Sequence, residues 1–524
     1  MLSRSIRRVC LATSVAITGA SLITATPATA PRPAGQALDV KLTSGDTADS
    51  ALGDGTAFVI GGSGLPTPPP SYVNAVDQLY LEPRGFTGTP QALDTPEGLY
   101  PVTGVHSLPY DTSAAEGQQI LDAAILNQIA SGNVDAANPV VVFGLSQSSA
   151  IASTTMTELA NQGVPSDDVH FVLVGNISNP DGGVLERFDL PAGTDPSFPS
   201  LGFTLSGATP ADLYPTDIYT QEYDGFADFP KYPLNLVSDL NALLGILYGH
   251  GAYLGDTPEQ IASAIQLPTS AADTLTNYYI IPDDSLPLLD PLRLIPVIGQ
   301  PLYDLLEPDT RVLVNLGYGS ITDGWGQGDA DVPTTLGLFP TNLDGAAVST
   351  ALSNGLQHGI STAIQDLESP ANYQITPLAD NPSLTTLLTG AFNTGLTDTL
   401  HPSLEQGFQI LKEALGEAAT YPISDATLLS SPTDILNDLS GTVAADYAAL
   451  LPIADTVDAV LTSLPAYDAS MVVDQLEAGN LVNAIGDPIA ADVVMLPFLL
   501  LLGTAVPIAE ATAGTLVNLV DLIP

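Results

Sequence analysis

The sequence predicts an α/β fold: a doubly wound, mostly parallel sheet with a lid-like insertion and a helical C-terminal region. Three observations carry that reading. With 524 residues, 45% of them apolar, the chain can bury a substantial core. Short β-type runs alternate with helix-spaced segments, the order of strand, crossover helix and parallel strand. Pro139 to Phe143 is a continuous β-branched run rather than an alternating one, as suits a parallel strand covered on both faces.

Taken in order, Ala57-Phe58-Val59-Ile60 is a strand that ends in Gly61-Gly62-Ser63-Gly64 and a Pro-rich loop. Ala114 to Ile129 has helical spacing and stops near Gly132, and Pro139 to Phe143 is a β-branched run. A helix from about Gln147 ends at Gly163, and Val169 to Val174 is the next strand. Residues 178–215, rich in Pro and Gly, are too long for a plain connection and read as a lid or substrate-binding insertion. Asp217 to Tyr223 is a further strand, and Leu234 to Tyr248 a helix with apolar residues at Leu236, Leu240, Leu243, Leu244 and Leu247. Arg311 to Leu316 reads as one more strand, and from Gly345 the chain falls into helix-like blocks. The apolar block Pro488–Ile508 is nearly long enough to span a bilayer, but Asp492, Pro497 and Pro507 interrupt it. It is expected to be a buried or surface-docking helix, and the place where the chain would contact a membrane or envelope surface.

Residues 1–30 read as a secretory signal: Arg4, Arg7 and Arg8 precede a modest apolar stretch and Ala28-Thr29-Ala30. Pro31 fits signal processing poorly, so the segment serves either as a cleaved leader or as a retained anchor; either way the address is extracytoplasmic. The single cysteine, Cys10, lies in this segment, which leaves the rest of the chain without disulfides, Cys-ligated zinc or a Cys nucleophile. Residues 31–50 read as a linker, 51–340 as the α/β domain and 341–524 as a helical C-terminal region. With 58 acidic residues against 11 basic ones the formal charge is −47, a field that repels phosphate backbones and excludes a nucleic-acid partner.

The chemistry concentrates at Gly144-Leu145-Ser146-Gln147-Ser148, a G-x-S-x-S sequence between a strand and a helix. A strand that reverses sharply into a helix holds its Ser on strained backbone and needs small residues two before and two after, here Gly144 and Ser148. The backbone N–H of Gln147 would then be one oxyanion donor, and Gly62 or Ser63 would offer the second. A Ser nucleophile needs a base. Of His106, His170, His250, His358 and His401, the order Ser, acid, His removes the first two, and the last two lie in the helical tail. His250, between glycines at a helix end, is the expected base. The acid should come from Tyr223-Asp224-Gly225-Phe226-Ala227-Asp228-Phe229-Pro230. Asp228, in a turn-like setting, is preferred; Asp224, straight off the strand, is the alternative. No paired His or H-E-x-x-H motif has ligand spacing, so neither a metal nor a cofactor is expected.

These residues resemble the mycobacterial PE-PPE domain, a serine α/β-hydrolase family related in fold to cutinases and esterases. The resemblance rests on Ala57 to Gly64, Gly144 to Ser149, Phe171 to Asn176 with Asn179-Pro180-Asp181-Gly182-Gly183, Tyr223 to Pro230, Tyr232 to Leu236 running on to His250-Gly251, Leu292 to Gly299 and Arg311 to Gly319. It covers roughly residues 55–340. It implies a triad at Ser146, Asp228 or Asp224, and His250, acting on acyl esters or moving acyl chains among envelope glycolipids such as acylated trehalose. Ahead of the domain the chain carries the signal-like segment where many relatives carry a helical PE or PPE module. The expected activity is therefore an exported serine esterase or lipase. Its alternatives are an acyltransferase and a non-catalytic envelope-binding protein on a hydrolase fold.

Overall fold

The computed structural model describes residues 52–271, 274–295, 297–368, 444, 447–448 and 450–508. The expected signal segment, the linker, Cys10 and His401 lie outside the described residues. A seven-stranded sheet in the order β2-β1-β3-β4-β7-β9-β8 forms the centre. Its strands are β1 (Thr56–Val59), β2 (Thr89–Ala92), β3 (Val140–Leu145), β4 (Val169–Val174), β7 (Thr216–Gln221), β8 (Ile265–Gln266) and β9 (Thr276–Ile281). All neighbours pair in parallel except β8, which closes the edge antiparallel to β9. β2 carries Pro90, which removes a ladder donor and suits an edge position.

The period-2 geometry of a strand sends alternate side chains to opposite faces, and both faces are covered. Val59, Val141, Phe143, Val172, Val174 and Tyr219 pack on one side with α1 (Pro70–Val76) and Tyr80. Phe58, Val140, Val142, Phe171, Leu173 and Ile218 pack on the other with α2 (Tyr110–Ala130) and α3 (Gln147–Asn161). From β1 the chain runs outward to β2 and then returns to build β3 on the opposite flank, so the winding reverses between β1 and β3. Open α/β sheets place ligands outside the carboxyl ends of the strands at such a reversal. The Gly61–Gly64 loop leaves β1, and Ser146 leaves β3, at that point.

Residues 178–215, between β4 and β7, hold a one-turn helix α4 (Val184–Arg187) and a two-stranded hairpin, β5 (Ser197–Phe198) with β6 (Phe203–Thr204). Beyond β7 come α5 (Leu236–Tyr248), α6 (Pro258–Ala262), α7 (Gly299–Asn315) and α8 (Gly345–Glu368). The strand expected over Arg311 to Leu316 is instead the end of α7. Arg311 there bonds Glu307 one turn back, a helical i,i+4 pair, and its guanidinium also donates to the carbonyls of Asp283, Asp284 and Ser285.

The last described helices are α9 (Leu450–Asp458), α10 (Leu464–Glu477) and α11 (Leu481–Leu500). α10 and α11 enter the same buried cluster as the insertion: Leu464, Tyr467, Met471, Val494, Met495 and Leu499 pack with Leu185, Phe188, Phe198 and Leu205. Tyr467 donates its hydroxyl to the Phe188 carbonyl at 2.8 Å, and Tyr100 donates to Asp455 at 2.6 Å. Among the described residues, Leu481–Ile508 is long and apolar enough to cross a bilayer by length and composition. Its Ala491, Val494, Met495 and Leu499 are buried, whereas Leu481, Val482, Ile485 and Ile489 are exposed.

Asp239, in the first turn of α5, is 5% exposed, and among the described residues neither carboxylate oxygen has a hydrogen-bond partner. Burial pushes its carboxyl up to about 8. The folded chain then holds a proton that the unfolded chain releases, so stability falls as pH rises from the ordinary carboxylate range through about 8. Asp239→Asn is expected to flatten that slope. Its unfolding free energy should gain on wild type by on the order of a few kcal/mol at alkaline pH and by little near pH 4, measured by urea denaturation at both. Parallel slopes for the two proteins would contradict it.

Candidate active site

Ser146 sits between β3 and α3 with φ +58° and ψ −116°, a conformation an L-residue rarely adopts. The neighbours permit it. A Cβ on Gly144 would lie 2.8 Å from the Ser148 carbonyl oxygen, so only glycine lets the chain fold back on itself there. Ser148, fully buried, donates its hydroxyl to the Leu145 carbonyl and accepts the Leu145 N–H. Ser146 N–H donates to the Val174 carbonyl of β4, and its own carbonyl accepts from the Ser149 hydroxyl. The bend is thus tied to the sheet on one side and to the helix on the other.

His250 follows the end of α5 at Gly249. Its Nε2 stands 2.7 Å from Ser146 Oγ. Its Nδ1 stands 2.9 Å from both Asp224 oxygens. With the Nδ1 proton donated to Asp224, Nε2 is the acceptor of the serine hydroxyl. Phe226 packs edge-on against the imidazole at 4.7 Å, and Phe498 of α11 packs edge-on against Phe226 at 5.9 Å, so the C-terminal helices reach within one side chain of this histidine.

The acid that meets the imidazole is Asp224, not the preferred Asp228. Tyr223 adopts φ +67° and turns the chain directly after β7, which leaves Asp224 fully buried and facing His250. Asp224 also accepts from the Phe226 N–H and from the Tyr253 hydroxyl, at 3.0 and 2.7 Å. Asp228 turns the other way, where its carboxylate accepts the Tyr223 N–H at 3.1 Å. Burial holds the Asp228 carboxyl well above the ordinary carboxylate range. Tyr253, three residues beyond His250, was missed in the sequence, where a buried Tyr reads as core.

Gln147 opens α3, so its backbone N–H has no intrahelical acceptor and lies at the positive end of the helix. Gly62 borders the serine: a Cβ there would lie 2.8 Å from Leu145 Cδ2 and 3.5 Å from Ser146 Cβ. The Ser63 hydroxyl donates to Gln147 Oε1 at 2.8 Å. Gln147, Gly62 and Ser63 therefore gather around Ser146. The other described histidines do not. His170 lies in β4 bonded to Asp217, and His106 and His358 are exposed. Among the described residues no cluster of His, Cys, Asp and Glu could hold a metal ion.

The family model described as the PE-PPE domain matches residues 87–319. The PPE family protein PPE28 of Mycobacterium tuberculosis is 39% identical over 484 residues, which are 91% of this chain and 68% of that protein. That similarity extends beyond the α/β part. Esterase PE16 of the same organism is 44% identical over 338 residues, 63% of this chain and 61% of the esterase. SL1278 acyltransferase Chp1, also from M. tuberculosis, is 30% identical over 253 residues, 45% of this chain and 59% of the acyltransferase. The chain thus spans about two thirds or less of the length of these relatives. No solved structure matches it. On the extent of the similarity to PPE28 and the match of the domain itself, the chain belongs to the PE-PPE domain family.

Proposed function

We propose that the chain is a serine hydrolase of acyl esters, working outside the cytoplasm on lipid-like substrates of the cell envelope. Ser146 Oγ attacks the ester carbonyl while His250 Nε2 takes its proton, and Asp224 holds the imidazole tautomer and stabilises the imidazolium. The N–H of Gln147, with that of Gly62 or Ser63, receives the charge that develops on the carbonyl oxygen. His250 returns the proton to the departing alkoxide. Water or a sugar hydroxyl, deprotonated by the same histidine, then frees the acyl group from Ser146. The observation that carries this reading is the line of contacts Ser146 Oγ, His250 Nε2 and Nδ1, Asp224, built on the strained bend at Ser146.

Acyl transfer is the second reading, favoured by the similarity to a protein named as an acyltransferase. The two share every group named; they differ in whether the loaded site admits water or a lipid hydroxyl. The exposed apolar side of α11 is proposed to rest on the envelope surface.

A fluorophosphonate probe is expected to label wild type at Ser146 and to lose that label in His250→Ala, and p-nitrophenyl esters of graded chain length should turn over in wild type. Labelling without ester turnover, but with transfer to an added glycolipid, would select the second reading. A folded protein that is neither labelled nor active would leave a binding protein on this fold.

A further inference from the structure

The loop beside Ser146 is held from behind by a residue with an unusual combination of properties. Glu97 adopts φ +47°, is wholly buried, and presents its backbone carbonyl to the Gly64 N–H at 2.6 Å. Thr95 donates its N–H to the Pro66 carbonyl and its hydroxyl to Glu97 Oε1 at 2.7 Å. Glu97 Oε2 has no hydrogen-bond partner among the described residues. From Glu97 a chain of hydrogen bonds returns to the same loop. The Gly98 N–H donates to Ser113 Oγ at 2.7 Å, and Gln147 Nε2 donates to the same oxygen at 2.9 Å. Gln147 Oε1 in turn accepts from Ser63. The circuit passes through Ser63 and Gln147, and Gly62 is the residue before Ser63 on the same loop.

We propose that Glu97 is a positioning residue for ester turnover: its backbone and buried carboxyl fix the Gly61–Leu65 loop, and the loop receives negative charge well only while that carboxyl is neutral. The inference rests on reading Ser146 as the nucleophile. A glutamine would fill the same space without a titrating proton. Burial pushes the Glu97 carboxyl up to about 8, against the opposing hydrogen bond from Thr95, so it is protonated at neutral pH and ionises above that value. The titratable groups whose own shifts register Glu97 are Tyr72 of α1 and Tyr110 of α2. Burial holds both far above the neutral range, so neither competes with Glu97 there. Ionised Glu97 would set an uncompensated charge behind the donors that must face an oxyanion, opposing the transition state more than the bound ester.

The test is the pH dependence of p-nitrophenyl ester hydrolysis by the full chain, between about pH 6 and 9.5, for wild type, Glu97→Gln and Glu97→Ala. In wild type kcat should fall about tenfold above pH 8 with KM nearly constant, and Glu97→Gln should lack that alkaline limb. Glu97→Ala should lose kcat already at neutral pH, with glutamine recovering most of it; should Ala fail to fold, the glutamine profile decides alone. An alkaline limb kept unchanged in Glu97→Gln overturns the inference while leaving the Ser146 reading intact. Turnover that survives Ser146→Ala sinks that reading and this inference with it.

Discussion

Ser146→Ala is expected to lower kcat for a short-chain p-nitrophenyl ester by on the order of 10^6, Asp224→Asn by about 10^4, and Asp228→Asn by less than about tenfold. On the proposed mechanism, removing the Ser146 hydroxyl leaves only binding and the oxyanion donors. Asparagine at position 224 would keep the shape of the site, but its amide would present N–H to the imidazole as readily as oxygen. The Nδ1 proton that both Asp224 oxygens now hold at 2.9 Å would then lose its anchor, and Nε2 would cease to be an acceptor for Ser146. Asp228 is different. Burial disfavours its charged form, and the N–H it accepts from Tyr223 is one that an amide oxygen accepts equally well. The measurement is single-substrate kinetics at neutral pH with the fold of each variant checked by circular dichroism. A dead Asp228→Asn beside an active Asp224→Asn would return the acid to the position that turn shape alone favours.

Asp217→Ala should cost about 3–5 kcal/mol of stability, seen as a lower urea midpoint with an unchanged slope, and should leave kcat/KM at low temperature unaltered. Asp217 is fully buried in β7, where it pairs with Arg84 and meets His170 Nε2 and Asn277 Nδ2, each at 3.0 Å. Burial alone would raise its carboxyl. The hydrogen bond from His170 and the charge of Arg84 outweigh burial and hold it below the ordinary carboxylate range. Truncation would remove the carboxylate that Arg84 and His170 share, which is the costly way to break a buried pair. The group lies at the amino ends of β4, β7 and β9, away from the carboxyl ends that carry Ser146 and Asp224, so chemistry and stability should separate. A variant with full stability would mean that water or a neighbour replaces the carboxylate.

What could be read in the sequence follows from which signals are local. The strands β3 and β4 are legible because a parallel strand buried on both faces is an unbroken apolar run, as Val140 to Phe143 is. The bend at Ser146 is legible because its steric demand falls on residues two positions away. β2 is hidden because Thr89-Pro90-Gln91-Ala92 has the composition of a turn, and only its partner β1 makes it a strand. Arg311 to Asn315 misleads for the converse reason. Its apolar residues Val312-Leu313-Val314 form a short continuous run like that of a buried strand, and the helical frame that fixes them begins a dozen residues earlier at Gly299. Spacing cannot choose between Asp224 and Asp228, because the choice depends on the left-handed turn at Tyr223. Glu97 carries no sequence signal for a similar reason: what singles it out is a positive φ and a backbone bond to Gly64, 33 residues before it.

The bond between Tyr467 and Phe188 spans 279 positions of the chain, and the cluster around it joins the insertion to α10 and α11. A polypeptide emerges from the ribosome N-terminus first, at about 5–20 residues per second, so Phe188, Phe198 and Leu205 wait tens of seconds for the residues that cover them. Even once β9 has emerged and the sheet can close, the nascent chain presents a greasy patch until the last helices follow. Holding factors, or passage across a membrane before folding, would meet this protein while that patch is bare.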